Sequence, residues 1–458
     1  MAFSRPAWTP VMTEPPTASR PAATITTLAA TSIVVADMVG VGVFTSLGFQ
    51  VKDISSGFGL LLLWVIGGAV ALCGAFCYAE LAAMFPRSSG EYNFLTRCYG
   101  PALGFQAGWL SATVGFSAPV ALAAMAFGQY ARAILPEAPP LLLGLGVVWA
   151  VAAVHLRGAR HSTAFQVGFT LLKLALILAF ILAGFARGGG QPISFAPSQL
   201  DPAEVLSASF AVSLVFVMYA YSGWNAATYI VGEIREPQRS LPRALLLGTG
   251  TVILLYVALN AVFLSTTPVA ELAGQIDVAL IAGRHIFGEE GGRVVGALIC
   301  AGLIPTIGAM TWIGPRVTVA MGEDFAPLAP LARRSAGGVP RAAIVLQAGI
   351  ASLLLLTRSF EAVLDFVQVC LLLCSFLTVL GLVRLRIVRP DLTRPYRAWG
   401  YPVTPAIFLG VTLFMMIHLL AVRPLESLAG LLMMLAGLLL FGLAAAQPQG
   451  DARKALSQ

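Results

Sequence analysis

The chain has 458 residues, 58% of them hydrophobic and only 11% charged. A soluble domain carries roughly 25% charged residues, so the composition excludes a soluble protein and leaves room for many apolar spans of about 20 residues. The net charge of +7 would suit nucleic acid only if it were gathered into one patch, and it is not.

In chain order, residues 1–23 are rich in Pro, Thr and Ala, lack the apolar core of a signal peptide, and read as a loose tail. Apolar runs then predict twelve spans, at 24–50, 58–84, 101–131, 139–157, 162–186, 205–234, 240–266, 292–321, 340–357, 361–388, 402–422 and 425–446, followed by a second tail at 447–458. Of the 28 Lys and Arg residues, these boundaries put 20 on the side of the N terminus, 7 on the other side, and Lys173 inside a span. Loops with Arg87 and Arg97, Arg157 and Arg160, Arg235 to Arg243, Arg333 to Arg341, and Arg384 to Arg397 carry the excess. The positive-inside rule makes that side cytoplasmic, with both termini there. The charge is topological, and nucleic acid is not an expected partner. Three lysines beside 25 arginines, with much Ala and Leu, suggest a GC-rich bacterial genome and hence a bacterial inner membrane.

Five of the six cysteines fall within predicted spans, and Cys98 lies near the start of the third. Cys73 with Cys77 and Cys370 with Cys374 are i,i+4 pairs, but the His or acidic company a metal needs is missing. They read as small apolar fillers, and no disulfide-linked partner subunit is expected. The four histidines, His155, His161, His285 and His418, show no ligand spacing. There is no P-loop, no paired-carboxylate arrangement and no nucleophile–base set. No cofactor, metal or enzyme activity is expected.

Two spans are interrupted by glycine. The first reads Val39-Gly40-Val41-Gly42-Val43 after Asp37, and the second Tyr219-Ala220-Tyr221-Ser222-Gly223-Trp224. Unwound backbone in a bilayer is tolerated only where it is buried or lines a cavity, and two such breaks in corresponding positions point to a transporter binding site. Spans 1–5 and 6–10 make two sets of five, each with the break in its first span. An odd number of spans inverts the second set. The expected fold is an all-α membrane protein of twelve helices, a five-plus-five inverted repeat with spans 1 and 6 broken. The first repeat covers 24–189, the second 202–389, and spans 11 and 12 occupy 400–446.

Four motifs in order carry a family resemblance: Gly40-Val41-Gly42-Val43-Phe44; Ser89-Gly90-Glu91-Tyr92-Asn93-Phe94 leading to Tyr99-Gly100-Pro101; Tyr221-Ser222-Gly223-Trp224-Asn225 followed by Glu233, Pro237 and Arg239; and Pro315-Arg316 with Met321-Gly322-Glu323-Asp324. Over about residues 25–390 the chain resembles amino-acid permeases of the amino acid–polyamine–organocation superfamily, nearest its L-type branch and bacterial relatives. The resemblance implies an alternating-access carrier of amino acids, here an exchanger or a proton symporter, with membrane lipid as its surroundings.

An amino acid needs donors for its carboxylate and acceptors for its ammonium. A helix restarting at Gly40–Gly42 frees N–H groups, which with the helix dipole suit a carboxylate. Carbonyls before that break and at Tyr219–Ser222 suit an ammonium. The other reading of these glycines is a packing notch between helices. The resemblance makes Tyr219 the gate over the substrate, with Trp224 a second aromatic candidate or ordinary packing. Ser222 stands where the L-type branch often has Gly, which favours small or medium neutral substrates. Lys173 sits mid-span, where a charge costs about 2.5–3.5 kcal/mol to insert. The resemblance gives it the place of sodium in sodium-coupled relatives, bridging spans 1 and 8, so transport is expected to be sodium-independent. Asp37, unusual for the family, either pairs with Lys173 or lines the inner path and binds a cationic substrate or a proton. Cationic amino acids or polyamines, or amino-acid sensing without transport, are the alternative functions. Glu233, Arg235, Arg239, Arg243, Glu91, Arg97, Arg316 and Glu323 form either an inner gate network or solvated loop charges.

Overall fold

The computed structural model describes residues 25–87, 89–158, 163–188, 190–197, 201–335 and 337–445. The expected tails, Arg160 and His161 lie outside them. Among the described residues, secondary structure is helical apart from one isolated parallel bridge between Ile25 and Ile234.

The first span is split into α1 (Thr27–Met38) and α2 (Gly42–Gln50). After α3 (Gly57–Met84) comes the short α4 (Glu91–Tyr99). The third span is α5 (Pro101–Leu110) and α6 (Ser117–Ala131), joined by a π turn at Ser111–Gly115. The fourth and fifth are α7 (Pro140–Leu156) and α8 (Thr163–Arg187). A short α9 (Asp201–Val205) precedes α10 (Ala208–Tyr221), which continues past a break as a 3-10 stretch, Ala226–Glu233. Then follow α11 (Pro237–Thr266), α12 (Val269–Leu272), α13 (Val278–Asp324), α14 (Ala329–Ala332), α15 (Arg341–Leu356), α16 (Phe360–Val388), α17 (Val403–Val422) and α18 (Pro424–Ala445).

These starts are written in the sequence. Thr26, Ser56, Ser207 and Ser359 each cap a helix by accepting the N–H three residues on. Pro101, Pro140 and Pro237 begin helices where the missing N–H costs nothing. Among the described residues, nine helical stretches are long and apolar enough to cross a membrane, and α7 and α15 are shorter apolar helices. One boundary differs from expectation. The span expected at 292–321 is the later part of α13, whose first ten residues form a separate arm bent at Gly288 (φ 78°). Glycine permits that left-handed bend, and apolar periodicity alone does not reveal it.

α1 packs against α11 and α8, α10 against α2 and α3, and α13 against α6 and α7. The two broken spans therefore lie side by side in the middle. They are also joined at one end: Ile25 N–H donates to Glu233 O (3.1 Å) and Arg235 N–H to Ile25 O (2.9 Å). The side where α1 begins is the N-terminal face below, and the opposite side the far face.

Candidate functional site

The two breaks touch. A Cβ on Gly42 would lie 2.4 Å from Ala220 Cα, and one on Gly223 would lie 2.8 Å from the carbonyl carbon of Asp37. Gly223 also has φ 99°, a left-handed conformation that only glycine adopts without strain. These two glycines are packing notches. Gly40 differs: a Cβ there would meet nothing nearer than Thr306 Cγ2 at 3.4 Å. It lines a small cavity with Asp37, Tyr219, Ser222, Thr306 and Met310. Gly42 therefore fits the packing-notch reading, while Gly40 borders a cavity.

At the first break α1 ends at Met38 and α2 restarts at Gly42. The first turn of a helix has no intrahelical acceptors, so the N–H groups of Val41, Gly42 and Val43 are free of helical partners. Phe44 N–H already turns back to Val41 O (3.0 Å). At the second break α10 stops at Tyr221, and Ser222 N–H donates to Tyr219 O (2.9 Å).

Lys173 on α8 reaches this crossing. Its Nζ donates to Val39 O (3.1 Å) and to Thr306 Oγ1 (2.5 Å), joining the first break to α13. Asp37 is buried with Oδ1 unpartnered. No ion pair within 4.0 Å connects it to Lys173. Of the two expectations for Asp37, pairing with Lys173 is therefore absent as a direct contact, because the ammonium is taken up by the Val39 carbonyl and the Thr306 hydroxyl.

The expected site residues separate into two groups. Gly40, Val41, Gly42, Tyr219, Ala220 and Ser222 line the cavity. Val39 contributes its carbonyl to Lys173. Val43 is wholly buried in packing. Tyr221 points away, donating its hydroxyl to Trp64 O (3.0 Å). Trp224 stands behind the break, edge-on to Tyr78 at 4.6 Å and against Phe408 at 6.3 Å.

Tyr256 of α11 was not singled out from the sequence. Its hydroxyl donates to Met38 O (2.5 Å) and lies 3.3 Å from Ala220 O, so one side chain ties the two breaks together. The available signal was a polar tip in the middle of an apolar span, where an unpaired hydroxyl is costly. Met310 and Pro119, which border the same cavity, carry no such signal.

Contacts bridge the bundle on both faces of the crossing. On the N-terminal face, Arg316 donates to Glu233 Oε1 from Nη2 (2.9 Å) and Nε (3.2 Å), with its guanidinium 3.8 Å from the Trp312 ring centre. Arg87 pairs with Asp324 (2.9 Å), and Arg334 with Glu323 (3.4 Å). Glu91 makes no ion pair among the described residues and is bonded by the hydroxyls of Tyr78 and Ser375. On the far face, Phe49 stacks between Phe216 (5.1 Å) and Phe360 (5.7 Å). Lys52 and Arg423 both pair with Glu361 above it. The segment after α11 folds over α2: Gly274 N–H donates to Gly48 O (2.7 Å), and Tyr130 bonds both Phe44 O and Ala279 N.

Two broken helices that cross at a cavity deep within a bundle of apolar spans define a membrane transport protein. The family described as "Amino acid permease" matches residues 25–443. The chain belongs to that family and is an integral membrane protein that transports amino acids. It is 26% identical to human (Homo sapiens) b(0,+)-type amino acid transporter 1 over 426 residues, covering 90% of this chain and 85% of that protein. It is 26% identical to the Asc-type amino acid transporter 1 of Mus musculus over 432 residues, with 90% and 79% covered. Solute carrier family 7 member 13 of Mus musculus is 26% identical over 422 residues, with 90% and 87% covered.

Proposed function

We propose that the protein is a sodium-independent carrier of small or medium neutral amino acids that works by alternating access, as an exchanger or a proton symporter. The observation that carries this reading is the start of α2. That start has free N–H groups and a positive helix end, and its residues Gly40, Val41 and Gly42 border a cavity, with Gly40 the one glycine of the pair not pressed against backbone. The substrate carboxylate is taken there. The ammonium is taken by carbonyls around Tyr219–Ser222, and Tyr219 closes over the bound molecule. Lys173 occupies the space between the first break and α13 with its own positive charge, which leaves no reason for a sodium ion at that place.

The architecture belongs to the same proposal. Nine long helical stretches, the two shorter α7 and α15, and the 25-residue α8 are counted as twelve spans. Residues 24–189 and 202–389 are read as inverted repeats, followed by spans 11 and 12 at 400–446. The tails 1–23 and 447–458 and the N-terminal face are cytoplasmic by the charge bias, in a bacterial inner membrane by composition. Glu233 with Arg316 is the inner gate.

A second reading has one observation in its favour. The buried, unpartnered Oδ1 of Asp37 borders the same cavity and suits a cationic side chain. The experiment is uptake of labelled amino acids and polyamines into proteoliposomes, with and without internal substrate, sodium and a pH gradient. Neutral amino acids taken up only against internal substrate, with choline replacing sodium, support exchange. Uptake of arginine or putrescine that disappears in Asp37→Asn supports the second reading. Uptake of no candidate by folded protein leaves amino-acid sensing.

A further inference from the structure

We propose that Glu91 is a proton-binding site that couples the N-terminal-face gate to pH: it is held as the neutral acid while that gate is closed and releases its proton to water when the gate opens.

Glu91 opens α4, outside the apolar spans, yet it is only 3% exposed. Every other carboxylate that closes the N-terminal face has an arginine: Glu233 has Arg316, Asp324 has Arg87, and Glu323 has Arg334. Glu91 has two hydroxyls, Tyr78 Oη from α3 and Ser375 Oγ (3.2 Å) from α16, both on Oε1. The titratable groups that face it are neutral or acidic. Tyr78 comes from α3, Tyr229 from the stretch after the second break, and Cys374 from α16. On α4 itself, Tyr92 is engaged with Asp324 and Arg97 lies over the Phe85 ring. A buried carboxylate with no cation is disfavoured as the anion.

Two features keep the anion within reach. The start of α4 supplies a positive helix end, and the two hydroxyls donate to the charged form. Burial outweighs them and pushes the Glu91 carboxyl up to about 7. The group is therefore set to change protonation near neutral pH, and water reaching it on gate opening would favour the anion.

The same residue is mechanically connected to the site. Tyr78, which bonds Glu91, lies edge-on to Trp224, the residue after Gly223. Tyr229 packs against Gly90, next to Glu91, and lies within electrostatic reach of both Glu91 and Asp37. Loss of the proton thus disturbs the contacts that hold the second break from behind.

The effect on transport rests on the alternating-access reading, but the effect on the folded state does not, so the test uses both. Melting of the purified full-length protein is followed from about pH 5 to pH 8.5 for the wild type, Glu91→Gln and Tyr78→Phe. A carboxyl whose folded value is raised binds more protons in the folded state. Stability then declines as pH rises from the unfolded value to the folded one, and no further above it. The wild type should lose melting temperature relative to Glu91→Gln up to about pH 7, then run parallel to it. Tyr78→Phe, which removes a donor to the anion, should move the end of that decline upward. In proteoliposomes, Glu91→Gln should flatten the dependence of exchange on the pH at the N-terminal face, while Glu91→Asp retains a transition. Parallel melting curves for the wild type and Glu91→Gln would overturn the assignment even if no transport were measurable. An unchanged exchange profile in Glu91→Gln would overturn the coupling. If Glu91→Gln does not fold, a Tyr78→Phe curve that coincides in shape with the wild type overturns the proposal, and an upward shift supports it.

Discussion

The two faces of the crossing are closed by different chemistry. On the far face an aromatic stack of Phe49, Phe216 and Phe360 is covered by the segment folded over α2, with Lys52, Arg423 and Glu361 at its rim and the buried Asp365 paired with Arg423 (3.3 Å) beside it. On the N-terminal face the closure is a set of half-exposed ion pairs, Glu233–Arg316, Arg87–Asp324 and Glu323–Arg334, together with the hydroxyl-bonded Glu91. Apolar contact presents no charge for salt to screen or pH to titrate. Exposed ion pairs are worth about 0–1 kcal/mol each and weaken as ions screen them. Closure of the N-terminal face is thus divided among separate, partly exposed ion pairs, whereas closure of the far face rests mainly on one packed aromatic stack.

The largest expected effect falls where both closures meet, at the crossing itself. Gly42→Ala drives a methyl into the Ala220 backbone, and overpacking of this kind costs about 1–3 kcal/mol or more. Transport should drop to background, with a clear loss in melting temperature. A Gly42→Ala protein as stable as the wild type would show that the breaks do not depend on each other.

Lys173→Met comes next. It leaves the Val39 carbonyl without its donor, at a cost of about 1–3 kcal/mol, and removes the cation between the first break and α13. Exchange should fall about tenfold or more, since about 1.4 kcal/mol in a barrier is a factor of ten.

The two faces then separate. Phe216→Leu removes its stacking on Phe49, aromatic pairing worth about 0.5–1.5 kcal/mol, and its effect on exchange should vary little between low and high salt. Glu233→Gln should change exchange by less, about 0–1 kcal/mol. That effect should fade as salt approaches about 1 M, where screening acts within about 3 Å. Equal salt dependence in the two variants would erase the distinction between the faces.

Much of this arrangement was legible in the residues. Glycine in an apolar run marked both breaks, and a lysine too deep to reach either surface marked a partner nearby, found in Val39 O and Thr306. What the sequence could not assign was direction. Tyr219 and Tyr221 are two residues apart and chemically alike, yet one faces the cavity and the other donates to Trp64 O. The choice depends on where α10 unwinds. Likewise Gly40 and Gly42 read as one motif, and only the position of Ala220 makes one a notch and the other an opening. Tyr256 stayed hidden because its role depends on a helix from another part of the chain passing both breaks.

The free N–H groups beside Gly40 are the proposed seat of the substrate carboxylate, and Gly40→Ala tests that placement most directly. The added methyl has room, with its nearest neighbour at 3.4 Å, so the variant should melt like the wild type. Binding of a labelled neutral amino acid to that folded protein should weaken at least tenfold, a loss of about 1.4 kcal/mol. Unchanged affinity in a normally folded Gly40→Ala protein would contradict the assignment and place the substrate elsewhere.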